Sequence, residues 1–131
     1  MYPVKCEQVA TSQLPRKIIK GENIMGARAQ VLIKDEGVYL YTHYGSSELV
    51  HDVRKALRSE AGKDRWGDSE YLARIIFDVM KDGDTTGSTG YGIGTQAHSD
   101  LDYAPIEVDC ANQTVKVKGA VKSFTDFIKE L

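Results

Sequence analysis

The stretch that decides the fold is "ARAQVLIKDEGVYLYTHY", residues 27 to 44. Its first half alternates. Ala29, Val31 and Ile33 fall on one face, and Arg28, Gln30 and Lys34 on the other. Such a period of two marks a half-buried strand. The second half alternates as well, with Tyr39, Tyr41 and His43 opposite Val38, Leu40, Thr42 and Tyr44. Between them stands Asp-Glu-Gly. A three-residue loop ending in glycine is a common hairpin connection, because Gly37 can take the left-handed conformation. The spacing predicts a β-hairpin, 27–34 paired with 38–44.

Working outward, Gly45 breaks the second strand and Ser46 or Ser47 can cap a helix. Leu49, Val50, Val53 and Leu57 recur at helical spacing, which carries that helix to about Ser59. "SEAGKDRWGD" reads as a polar connection holding the only tryptophan, Trp66. Asp68 or Ser69 then caps a second helix. Its stripe of Leu72, Ile75, Ile76, Val79 and Met80 ends at Asp82-Gly83. "GYGIGTQA" reads as a strand after a mobile glycine-threonine loop. "IEVDC" and "TVKVK" form a second hairpin, turned at Asn112. Ser123 caps a final helix whose buried side is Phe124, Phe127, Ile128 and Leu131.

Strands and helices come in runs rather than in βαβ alternation. The fold class expected is therefore α+β with a mainly antiparallel sheet: an N-terminal hairpin, two helices, a three-strand segment and a C-terminal helix. Residues 1–26 are expected to be an arm or edge segment, and 27–131 a single α+β domain.

Composition limits the function. The chain has 131 residues, 41% hydrophobic and 27% charged, with a net charge of -2. That balance lacks the basic surplus of a bulk nucleic-acid binder. Cys6 and Cys110 have neither the spacing of a zinc site nor that of a disulfide framework. They read as reduced thiols in a cytoplasmic protein. No apolar run nears the ~18 residues that span a bilayer, and the start has no leader layout.

Candidate sites are few. Tyr39, Tyr41 and His43 form an aromatic strip, with Arg28 across the hairpin. Such a strip can stack a flat ring and hold its phosphate. Strands also favour tyrosine whatever their task. Ser46 opens a helix N-terminus, which suits an anion. Gly90, Gly92 and Gly94 leave one strand face bare, as close packing of a helix or a ligand would require; helix packing is the expectation. Thr85, Thr86, Ser88 and Thr89 can form a hydroxyl-bearing flap beside Tyr91. His98, Asp100 and Asp102 alternate and could bind a divalent metal, with His43 completing the set. No phosphate-loop, zinc-protease or nucleophile-elbow pattern is present.

"GARAQVLIKDEGVYLYTHYGSSE", "RWGDSEYLARIIFDVM", "TGYGIGT" and "VDCANQTVKV" together resemble a family of small proteins from phages, prophages and prokaryotes. The similarity runs from Gly26 to about Val117. The family carries a tryptophan-aspartate pair after the hairpin histidine, where Tyr44-Gly45 stands here. The resemblance implies a mobile-element accessory protein and brings no activity with it. It suggests a non-enzymatic protein that binds a small nucleotide-like anion, as in sequestering an immune signalling nucleotide. The ligand residues would be Arg28, Tyr39, Tyr41, His43, Ser46, Thr89, Tyr91 and Gly92, with no cofactor and a homo-oligomeric state. The alternatives are a module that binds a host protein, and a metal-dependent hydrolase using His98, Asp100 and Asp102.

Overall fold

The computed structural model describes residues 28–43, 48–99, 101 and 104–130. The expected N-terminal arm, the capping serines Ser46 and Ser47, the acids Asp100 and Asp102, and Leu131 lie outside them.

Strand β1 (Ala29–Ile33) and strand β2 (Val38–Thr42) form the expected antiparallel hairpin, with Gln30 opposite Tyr41 and Leu32 opposite Tyr39. Gly37 closes its loop at φ 70°, a conformation that costs a side chain but not a glycine. Helix α1 (Leu49–Arg58) follows. Its N-cap is Glu48, which makes no side-chain cap bond.

The connection expected from 59 to 68 folds further than its polarity suggests. Ser59 Oγ accepts from Gly62 N and caps a one-turn helix, α2 (Glu60–Lys63). A Cβ on Gly62 would lie 1.9 Å from the Ala56 carbonyl oxygen. The two helices therefore meet backbone to backbone, and only glycine fits. Trp66 then docks its ring edge-on to Phe124 and donates to the Leu57 carbonyl at 3.0 Å.

Helix α3 (Ser69–Lys81) buries Leu72, Ile75, Ile76 and Met80 of the predicted stripe and Ala73 beside them, while Val79 is only partly buried. Asp68 stands at its N-cap without a side-chain cap bond. Asp82, at φ 49°, and Gly83, at φ 87°, end it. Strand β3 (Tyr91–Gly94) is shorter than the sequence suggests. Strands β4 (Ile106–Asp109) and β5 (Thr114–Val117) form the second hairpin. A strand not expected from the sequence, β6 (Ala120–Ser123), precedes helix α4 (Phe124–Ile128). Ser123 Oγ accepts from Asp126 N, as its position predicts.

The six strands form one sheet in the order β3-β2-β1-β4-β5-β6. It is antiparallel except at its centre, where β1 and β4 run parallel. A parallel neighbour needs a long crossover, and residues 34–105 supply it, with β2, α1, α2, α3 and β3 between. The fold is thus α+β with a mainly antiparallel sheet. Asp35, in the first hairpin loop, ties the two hairpins together: its carboxylate accepts from Cys110 N at 2.7 Å and Ala111 N at 3.0 Å.

The core lies between one face of the sheet and the helices. Val31, Ile33, Leu40, Ile106, Val108 and Val115 meet Leu49, Val53, Leu57, Leu72, Ile76, Phe124 and Phe127 there. Among the described residues no helix is long and apolar enough to cross a membrane.

Candidate binding surfaces on either side of strand β3

Because paired residues in a ladder share a face, the register places the predicted residues without ambiguity. Tyr39 stands opposite Gly94 and Tyr41 opposite Gly92. The tyrosine strip and the glycine face are therefore one surface, the sheet face turned away from the core. No described helix packs against it. A Cβ on Gly92 or Gly94 would meet nothing within 4 Å, which corrects the expectation that a helix packs on these glycines.

One segment does cross this face. Gln30 is buried, and its side-chain amide is used in both directions. Nε2 donates to the Gln96 carbonyl at 3.2 Å, and Oε1 accepts from His98 N at 3.0 Å. Fixed in this way, His98 lays its ring against Tyr41, with centroids 4.8 Å apart. The Tyr41 hydroxyl in turn lies 3.0 Å from His43 Nδ1. Tyr41 is thus already engaged on two sides by histidines. Arg28 lies one residue before β1, on the Gln30 side of the alternation.

Thr89 and Tyr91 lie elsewhere. Tyr91 pairs with the buried Thr42, so it belongs to the core side of the sheet. There its ring meets Phe77 of α3 edge-on, at 6.5 Å and 82°. Phe77, Lys81, Thr85, Thr89, Tyr91 and Gly92 line a cleft of about 350 Å³ between the end of α3, the 84–89 loop and β3, together with Asp84, Gly87 and Ile93. Asp84 shapes the loop by accepting from Gly87 N at 3.0 Å. Lys81 Nζ stands 5.2 Å from the centroid of the Phe77 ring. No ion pair to a described carboxylate engages it.

The predicted set therefore divides. Arg28, Tyr39, Tyr41 and His43 belong to the helix-free face, and Thr89 and Tyr91 to the cleft. Gly92 contributes to both, one through its bare face and the other through its backbone. Ser46 falls outside the described residues. Sequence reading missed Phe77 and Lys81. The available signal was an aromatic one step off the α3 stripe, followed one turn later by a lysine and then by a threonine-glycine loop. For the metal reading, His98 is committed to Tyr41, and no three His, Cys, Asp or Glu side chains converge among the described residues. Comparison with protein-family models, with curated proteins and with solved structures finds no match to this chain.

Proposed function

We propose that this protein binds a small nucleotide-like anion in the cleft at the end of α3, and that it holds the ligand rather than transforming it. One observation carries this reading: Lys81 stands over the Phe77 ring in a cleft of about 350 Å³ with no described carboxylate paired to it. Pockets of roughly 300–1,000 Å³ suit small ligands. Phe77 and Tyr91 offer aromatic surface to a flat ring. The Lys81 ammonium and the Thr85 and Thr89 hydroxyls offer donors to a phosphate. The resemblance to phage and prophage proteins fits a role in sequestering a signalling nucleotide.

Isothermal titration with adenosine monophosphate, cyclic mononucleotides and cyclic dinucleotides tests this. At least one is expected to bind, and Lys81→Met to weaken it by about tenfold, the loss of one charge-assisted contact. Tyr39→Ala, on the other face, is expected to leave the affinity unchanged. Silence from every nucleotide at millimolar concentration sinks the reading, as does equal binding by Lys81→Met.

A further inference from the structure

We infer that β3 pairs with β3 of a second copy of this chain, about a two-fold axis through Ile93, to make a sheet continuous across a dimer. The argument begins with where its backbone groups point. His43 N donates to the Gly90 carbonyl at 2.9 Å. In an antiparallel ladder bonded and non-bonded pairs alternate. Gly90, Gly92 and Gly94 therefore bond inward to β2, and Ile93 turns its N–H and C=O outward, away from the sheet. β3 ends the strand order, and no described residue bonds Ile93 from that side. An edge with open donors and acceptors is a template for another strand, unless lysine, proline or a bulge blunts it. Tyr91–Gly94 carries none of these.

The side chains select the partner. Ile93 is 62% exposed, one of three large hydrophobic residues so exposed among those described. Residues opposite one another across an antiparallel pair share a face. A two-fold axis must then pair residues of like parity. Centring it on Ile93 sets Ile93 against its own copy in a doubly bonded pair, and sets Gly92 against the Gly94 of the second copy. The isoleucines cover one another on the core side. On the helix-free side glycine meets glycine, so no side chain obstructs the approach. No like charges meet. At the opposite edge, β6 carries Lys122 within the strand, the kind of residue that blunts an edge. The β3 edge thus lacks the blunting lysine that β6 carries, and an isologous contact closes at two copies.

Gly92 and Ile93 also line the cleft, but the pairing needs no ligand, so measuring the ligand-free protein keeps its test separate. Sedimentation velocity of the ligand-free protein over a concentration series is expected to show a species of twice the 14.5 kDa chain mass. So short a contact implies a dissociation constant on the order of micromolar. Ile93→Lys is expected to give a folded monomer by far-UV circular dichroism, and Val121→Lys, on the other edge, to remain dimeric. Hydrogen exchange at the Ile93 amide is expected to slow as wild-type concentration rises, a readout that needs no variant. A monomer up to millimolar concentration overturns the inference. So does a dimer that survives in folded Ile93→Lys, an Ile93 amide indifferent to concentration, or growth beyond two copies.

Discussion

At the scale of single residues, Cys110 shows how position sets chemistry. It sits in the turn after β4, buried, with its N–H held by the Asp35 carboxylate. Burial pushes the thiol up to about 12, and the nearby Asp35 charge adds to the rise. The thiolate is the nucleophile, so the native side chain is inert near neutrality. In a Cys6→Ser background, iodoacetamide at pH 9 should alkylate the native protein on the order of a hundred-fold or more slowly than the urea-unfolded chain. Equal rates would show that the turn is open. The linkage has a definite sign. The raised thiol favours the folded state fully below its ordinary 9.0, and that contribution is lost as pH rises towards about 12. Asp109 is shifted the other way, lowered chiefly by its hydrogen bonds to Asn112. Its contribution is present above 3.8 and fades as pH falls below it.

Among the elements, α4 is the one that could not stand alone. Five residues are far too few for an isolated helix in water. Its start is fixed by Ser123 and its apolar side by the burial of Phe124 and Phe127. Two arginines of α1 hold its end. Arg54 donates to the Phe127 carbonyl at 2.9 Å, pairs with Glu130 and lies over the Phe127 ring. Arg58 reaches the Ile128 and Glu130 carbonyls. Lys122 also binds Glu130, and Lys122 with Arg54 holds that carboxyl below the usual range. Arg54→Met keeps much of the packing but leaves the Phe127 carbonyl only its 3.3 Å bond from Glu130 N and removes the pairing with Glu130. Urea denaturation should show a loss of about 2 kcal/mol, with faster amide exchange across α4. A loss below about 0.5 kcal/mol would mean that water replaces the guanidinium. The elements legible in the sequence were those with a local signature. The first hairpin and α3 had their periodicity, and α4 had its serine cap. The parallel β1–β4 pairing had none, because it joins residues some seventy positions apart. β6 was hidden because its four residues are all exposed, so no alternation marked it. α2 was hidden because a single glycine contact, not an apolar face, sets its place.

For the molecule as a whole, one core joins both ends of the described chain. Trp66, between α2 and α3, packs on Phe124 of α4, so its fluorescence reports contact between distant segments. Unfolding followed by Trp66 emission and by far-UV circular dichroism should give coincident midpoints. An earlier fluorescence transition would mean that the C-terminal part separates first. The same scale explains why the candidate site was only half legible. Sequence alternation placed Tyr39, Tyr41 and His43 on one face correctly. Alternation along β3 likewise set Tyr91 opposite its glycines; it could not show that the flap residue Thr89 would join Tyr91 in a cleft with Phe77 and Lys81, because that depends on where the distant α3 ends.

The glycines set a different kind of record. Gly62 is fixed by this chain's own backbone, so every descendant that keeps α2 against α1 must keep it. Gly92 and Gly94 are under no such internal constraint, since either could gain a methyl group without touching its own molecule. Substitutions should therefore accumulate at 92 and 94 in any lineage whose β3 meets nothing, and stay rare in any lineage whose β3 meets a second copy. The history of mutation at those two positions, set against that at 62, would measure how long that encounter has mattered.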